Sequence, residues 1–142
     1  VLGAEKRPRK SWVVWDENGQ YPNIIVELLS TSTAKTDRGR KKQLYQDICR
    51  TPDYFWFDPD SVEFQGFHLL SGTYVPIEPN QEGHLWSQQL GLFLGVHNKT
   101  LRFFTADGEL VPTPEETAEQ AQQQGQKLAD KLRELGVNPD EL

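Results

Sequence analysis

The stretch that decides the fold spans residues 22–59 and reads PNIIVELLSTSTAKTDRGRKKQLYQDICRTPDYFWFDP. Residues 24–29 are almost continuously apolar and β-branched, which predicts a strand covered on both faces. A Ser/Thr-rich loop follows, and apolar spacing then predicts a helix over residues 37–48 that ends before Pro52. Residues 54–57 are wholly aromatic and predict a second strand. Strand, helix and strand in this order indicate a crossover, and hence an α/β or α+β fold with a helix on the sheet.

Turn signals and apolar runs organise the rest of the sheet region. Residues 12–15 predict a short strand or hairpin arm ahead of the turn at Asn18-Gly19. Two hairpins are predicted around Ser71-Gly72 and Asp107-Gly108. Residues 85–96 are apolar with two glycines, a pattern that fits either a helix or a strand.

The clearest single element is a helix near the C-terminus. Thr113, Pro114 and Glu116 form a helix-start signal, and Gly136 ends the helix. Small or apolar residues recur inside it every three or four positions, at Ala118, Ala121, Gly125, Leu128, Leu132 and Leu135. This coiled-coil-like seam predicts a partner helix, in a homodimer, or else docking on the body of the same chain. We therefore expect a domain over residues 1–112 and a separate helix over residues 113–142.

Composition narrows the function classes. The chain has 142 residues, a formal net charge of −6 and one cysteine, which excludes a disulfide framework and a cysteine-based zinc site. No apolar run is long enough for a membrane span and the N-terminus has no signal-peptide pattern, so we expect a soluble, cytoplasmic protein.

Charge is distributed unevenly along the chain. Residues 1–50 carry ten Lys/Arg against six Asp/Glu, whereas residues 51–142 carry five against fifteen. This asymmetry fits a local polyanion site, and it fits equally a set of solvated surface charges. Most of the basic residues in the first half fall in two clusters, the first at residues 6–10 and the second at residues 35–42. The candidate nucleic-acid contacts are the basic residues of the second cluster that flank Lys41: Lys35, Arg38, Arg40 and Lys42.

Glu27 and Lys41 are the candidate catalytic residues. A carboxylate within an apolar strand is costly unless it is paired, binds a metal or faces a wet cleft; the alternative is an exposed edge or an arginine partner. Lys41 shares a predicted helix face with Leu44 and Ile48, while Arg40 and Lys42 are expected to point elsewhere; a lysine there can also simply extend to solvent. Together, a strand carboxylate and a helix lysine suit metal-assisted phosphodiester hydrolysis.

Three spaced blocks of this region resemble the Uma-two family of restriction endonucleases, a branch of the PD-(D/E)xK nuclease superfamily. The family pattern reads approximately PDxVVEVLSPST, DRGEKxxLY and EYWxVDP, and the similarity continues over nearly the whole chain. The resemblance implies a restriction-endonuclease-like mixed sheet and a Mg²⁺- or Mn²⁺-dependent enzyme that cuts DNA. It places Glu27 at the metal-binding acid and Lys41 at the lysine that has moved to the helix. It also places Asn23, Ser30 and Asp37 around them, with Asp37 as a candidate partner of Lys41.

Several positions depart from the family pattern. Leu29 stands where the superfamily usually has lysine, and Asn23, Thr31 and Arg40 replace Asp, Pro and Glu. The upstream strand with the first metal-binding Asp is absent, so we expect a domain that is incomplete at its N-terminus and a weakened metal site. The second reading is therefore a non-catalytic remnant that binds nucleic acid or oligomerises. A metal site built from His68, His84 and His97 is disfavoured because these residues lack ligand spacing.

Overall fold

A computed structural model describes residues 1–29, 38–136 and 138, without the side chain of Arg38, and divides the chain into units of residues 1–110 and 111–142. The predicted Ser/Thr-rich loop lies outside the described residues. The described residues of the first unit form a 3-10 helix (Val14–Glu17), one α-helix and seven strands. In chain order these are β1 (Ile24–Leu28), α1 (Arg38–Asp47), β2 (Asp53–Phe57), β3 (Phe64–Leu70), β4 (Thr73–Pro76), β5 (Leu85–Ser87), β6 (Leu92–His97) and β7 (Thr100–Phe104).

Two sheets make up the first unit. The larger has the strand order β1-β2-β3-β4, and the smaller has the order β5-β6-β7. Strands β1 and β2 are parallel, which confirms the predicted crossover, and the remaining neighbours are antiparallel. The result is a mixed α+β architecture, consistent with the restriction-endonuclease-like fold that the sequence predicts.

The four-stranded sheet has a different core on each face, because side chains alternate along a strand. One face carries Tyr54, Trp56 and Phe67, against which Tyr45 of α1 packs. On the other face, Phe55 packs in a cluster with Leu85 and Leu94 of the smaller sheet. β2 contains the predicted aromatic strand and is buried at all five positions.

β1 departs from its prediction. Among the described residues it is the edge strand of its sheet, and Val26 and Leu28 are 38% and 67% exposed. The expectation of a strand covered on both faces is therefore wrong. Ile24 packs into the core cluster shared with the smaller sheet, whereas the side chains further along that face extend beyond it.

The structure defines the conformation of several segments that have short or ambiguous sequence signals. Residues 14–17 form a 3-10 helix rather than a strand, followed by Asn18 in the left-handed conformation at φ 55°. Residues 85–96 contain the antiparallel strands β5 and β6, joined by a turn in which Gly91 has φ +64°. The hairpin at Ser71-Gly72 is confirmed, and the one at Asp107-Gly108 is reduced to a single bridge between Phe104 and Leu110.

The second unit contains α2 (Pro114–Glu134). Its start has the predicted capping box: the Thr113 hydroxyl accepts from the backbone N–H of Glu116, and the Glu116 carboxylate accepts from the backbone N–H of Thr113. Gly136 follows at φ +80°, a conformation that glycine adopts without strain. Within the described chain, no helix has the length and apolar character needed to cross a membrane.

Candidate active site

The candidate active site lies where β1, β2 and α1 meet. Glu27 on β1 is in register with Trp56 on β2, and Tyr54 lies two residues before Trp56 on the same face. Because α1 covers this face, the Glu27 side chain points between the sheet and the helix and is 14% exposed. The sheet register thus places a carboxylate beside two aromatic side chains and under a basic helix.

Both carboxylate oxygens of Glu27 are held. The Lys41 Nζ donates to Oε1 at 2.6 Å, and the Tyr54 hydroxyl donates to Oε2 at 3.0 Å. The Lys41 side chain is 38% exposed, so this ion pair is partly screened by solvent. The structure therefore brings together the two residues that the sequence singled out, from elements that are separated along the chain.

Tyr54 has a part in the site that the sequence did not predict. Its ring packs against Tyr45, Phe67 and Tyr74. Burial, followed by the hydrogen bond to Glu27 and its charge, raises the pKa of Tyr54 above its ordinary value. The hydroxyl consequently remains protonated at neutral pH and acts as a fixed donor to the carboxylate.

The buried face of α1 differs from the predicted one. Leu44 and Ile48 are 44% and 62% exposed, so they do not share the inward face of Lys41. Lys42, which was expected to point elsewhere, instead places its Nζ 3.5 Å from the centroid of the Phe67 ring. Adjacent residues of a helix point about 100° apart. The face that packs on the aromatic surface of the sheet contains Lys41, Lys42 and Tyr45.

A cavity adjoins the Glu27 site. It has a volume of about 340 Å³. Its described lining combines aromatic, basic, amide and acidic side chains with one glycine: Gly39, Lys42, Tyr54, Trp56, Glu63, Gln65 and Phe67. Partial burial lowers the pKa of Lys42, whose ammonium group lies at this cavity. Tyr54 lines the cavity and also donates to Glu27, so the cavity and the Glu27 site share this residue.

The remaining predicted site residues are not all brought to Glu27. The Asn23 Oδ1 accepts from the backbone N–H of Leu2 at 2.9 Å, and its amide lies 3.5 Å from Gln89, which connects other segments. Arg40 lines a groove on the outer side of α1 together with Asp47. Ser30, Lys35 and Asp37 lie outside the described residues, as does the side chain of Arg38; their predicted roles stay predictions.

The first basic cluster is neutralised in part by its own segment. Arg7 and Arg9 both pair with the carboxylate of Glu17 at the end of the 3-10 helix. The hydrogen bond from Arg9 lowers the pKa of Glu17. These arginines therefore fasten the N-terminal segment to the 3-10 helix, a role that charge counting alone does not indicate.

A buried carboxylate, which the sequence did not flag, joins the two sheets. Asp53 is fully buried at the start of β2. Its Oδ1 accepts from the His68 Nδ1 at 2.7 Å, while Oδ2 accepts from the Ser87 hydroxyl at 2.6 Å and the Gln89 N–H at 2.9 Å. The available signal was an acidic residue immediately before a wholly aromatic strand, a position where burial requires hydrogen-bond partners.

The metal-binding role that the resemblance implies for Glu27 stays a prediction. Over residues 1–29, 38–136 and 138, no group of three or more His, Cys, Asp or Glu side chains is arranged to bind an ion. His84 stacks on Phe104 and His97 meets the same ring edge-on, whereas His68 is bound to Asp53. A hard cation at Glu27 would thus take its other ligands from water, substrate or residues outside the described ranges.

The comparisons with known proteins bear on the first unit. A search of curated proteins finds no match for the chain. A family model named Uma2, whose description is putative restriction endonuclease, matches residues 1–101. That span includes Glu27, Lys41 and Tyr54, and the family's place in the PD-(D/E)xK superfamily is consistent with the mixed sheet. The first unit is therefore a nuclease-like domain, and the chain belongs to the Uma2 family.

Proposed function

We propose that this protein is a Mg²⁺- or Mn²⁺-dependent DNA endonuclease whose catalytic centre contains Glu27 and Lys41. The observation that carries the proposal is the 2.6 Å contact between the Lys41 Nζ and the Glu27 Oε1. A carboxylate and an ammonium group held together beside a cavity are the charges that metal-assisted phosphodiester hydrolysis requires. Membership of the Uma2 family supports the same reaction class.

The residues present are compatible with a divalent cation. Mg²⁺ is commonly bound by one or two carboxylates together with water and substrate phosphates, and Glu27 supplies one such carboxylate. The bound ion would lower the pKa of a water molecule and offset charge on the phosphate oxygens. The Tyr54 hydroxyl donates to Oε2, so it would help to orient the Glu27 carboxylate toward a bound ion.

Lys41 would act on the phosphate. In hydrolysis, a water oxygen forms a bond to phosphorus while the bond from phosphorus to the leaving sugar oxygen breaks and that oxygen takes up a proton. Negative charge increases on the non-bridging oxygens as this occurs, and a nearby ammonium group stabilises it. Lys41 reaches Glu27 from α1, so its Nζ would lie close to a phosphate held by a cation at that carboxylate. Lys42 adds a second positive charge at the adjoining cavity.

Cleavage of plasmid DNA by matched lysine variants tests this function. Lys41→Met keeps the aliphatic stem but removes the charge, and we expect it to lower the cleavage rate by at least 10²-fold in Mg²⁺. Lys99→Met is the control, because Lys99 is an exposed turn residue between β6 and β7. Equal rates for Lys41→Met and the unmodified protein would contradict the proposed role.

A non-catalytic module that binds nucleic acid or oligomerises is the second candidate function. It is favoured because no group of three or more potential metal ligands is found among the described residues, and because α2 carries an apolar seam. Under this alternative the protein binds DNA without cutting it, and the affinity falls steeply with salt as phosphate contacts are lost. Titrations at two or more salt concentrations, with cleavage measured in parallel, separate the two functions.

DNA as the substrate would place the protein in the cytoplasm, which cell fractionation tests.

A further inference from the structure

We propose that α2 pairs with the α2 of a second copy in an antiparallel two-helix coiled coil. The alternative function above already includes self-association through this helix, and the antiparallel orientation goes beyond it. The seam comprises the a and d positions of three heptads, with Ala118, Gly125 and Leu132 at a and Ala121, Leu128 and Leu135 at d. The pairing concerns the second unit alone and is independent of whether the first unit cuts DNA.

The helix needs a partner for its apolar residues. α2 has no buried residue, and Leu128 and Leu135 are 63% and 73% exposed. Helices in proteins gain most of their stability from packing of an apolar face, and Gly125 in the interior of α2 lowers its own helix stability. Burial of the leucines against another helix would supply this stabilisation.

Side-chain size determines the direction of pairing. The small seam residues come first along the helix, as far as Gly125, and the leucines follow from Leu128 onward. In a parallel pair, Ala and Gly would face their own copies at one end and Leu would face Leu at the other. The distance between two packed helix axes depends on the side chains between them. In a parallel pair, the leucine end would therefore hold the axes too far apart for the Ala/Gly end to pack.

An antiparallel pair removes this mismatch. Centred between residues 126 and 127, it forms layers of one small residue and one leucine throughout. The three layers, each present twice by symmetry, are Ala118 with Leu135, Ala121 with Leu132, and Gly125 with Leu128. Every layer contains one a and one d position, the arrangement expected for antiparallel helices, and the summed side-chain volume varies little along the interface.

Charge favours the same orientation. The N-terminal half of α2 carries three carboxylates and no basic residue, at Glu115, Glu116 and Glu119. The C-terminal half carries Lys127, Lys131 and Arg133 against two carboxylates, one of which is Asp130, already bound to Arg133 at 3.0 Å. Antiparallel pairing places the acidic half of each helix beside the basic half of the other, whereas parallel pairing places the acidic halves together. The two helix dipoles also oppose each other in this arrangement.

Disulfide trapping in the full chain tests the orientation. Cys49→Ala removes the native thiol, and Ala121→Cys and Leu132→Cys are then made as separate single-cysteine proteins, one with a size tag. We expect a mixture of the two to form the mixed disulfide predominantly, because positions 121 and 132 face each other. The two copies of residue 121 would lie about 16 Å apart, too far for a disulfide bond. Rapid disulfide formation by Ala121→Cys alone would overturn the antiparallel assignment.

Light scattering of the full chain without any cysteine substitution tests pairing itself. We expect a dimer, converted to monomer by Leu128→Asp but not by Gln123→Asp, which adds the same charge on the opposite side of the helix. A monomeric unmodified chain would overturn the proposal, as would dissociation by both variants or by neither. None of these readouts depends on DNA cleavage, so failure of the pairing and failure of the nuclease function are distinguishable.

Discussion

Replacing Asp53 with alanine removes the acceptor that holds the two sheets of the first unit together. The fully buried carboxylate accepts from His68, Ser87 and the backbone N–H of Gln89. Asp53→Ala leaves all three donors without this acceptor, and loss of one member of a buried charged network costs about 3–5 kcal/mol. For a domain of this size we expect the melting temperature to fall on the order of 12–30 °C.

Asp53→Asn removes the negative charge but keeps a hydrogen-bonding side chain of nearly the same shape. An asparagine carbonyl oxygen can replace Oδ2 and keep the bonds from Ser87 and Gln89. Its amide group faces His68 Nδ1, which in neutral imidazole can become the acceptor by a change of tautomer. We therefore expect a smaller loss of about 1–2 kcal/mol in the free energy of unfolding.

Urea unfolding followed by tryptophan fluorescence measures both variants, since Trp56 and Trp86 lie in the two sheets. Asp60→Ala is the matched control, because Asp60 is exposed in the turn after β2 and should change stability by less than about 0.5 kcal/mol. If Asp53→Ala unfolds at the same urea concentration as Asp60→Ala, the network does not hold the sheets together and the reasoning is refuted.

Three further outcomes follow from the packing and the site. Gly66→Ala would place a Cβ 2.5 Å from ring carbons of the neighbouring strand and should cost about 1–3 kcal/mol in urea unfolding; Gly39→Ala, with nothing within 4 Å, should not destabilise the fold. Tyr54→Phe removes the donor to the site carboxylate and should lower kcat for DNA cleavage roughly tenfold, with circular dichroism unchanged; an unaltered kcat would argue against this positioning role. Burial raises the pKa of Cys49, so its alkylation by iodoacetamide near neutral pH should accelerate on unfolding, and equal rates in both states would contradict its burial.

Local patterns predicted the elements that depend on local physics. The aromatic run of β2 and the capping residues of α2 carry their own signals, since burial and hydrogen-bond satisfaction act within a few residues. The pairing of Glu27 with Lys41 was also predictable, because an acidic residue in an apolar strand requires a partner and the crossover brings the helix over the strand.

Contacts between distant segments were not predictable in this way. The hydroxyl of Tyr54 reaches Glu27 through strand register, and Asp53 meets Ser87 through the packing of two sheets. Successive residues of α1 point about 100° apart, so an error of one position was enough to assign Lys42 to the outer side of the helix. The exposure of Leu28 likewise depends on how far the smaller sheet extends, which the composition of β1 does not encode.

The central claim is that Glu27 is the metal-binding carboxylate of a DNA-cutting site. Its most direct test is cleavage of plasmid DNA over a Mn²⁺ titration by the unmodified chain, Glu27→Gln and the exposed control Glu109→Gln. We expect metal-dependent cleavage by the unmodified chain and by Glu109→Gln, and its loss in Glu27→Gln at every metal concentration, because the amide carries no charge for the ion. Cleavage by Glu27→Gln at the rate of the unmodified chain, or no metal-dependent cleavage by any of the three, would contradict the claim.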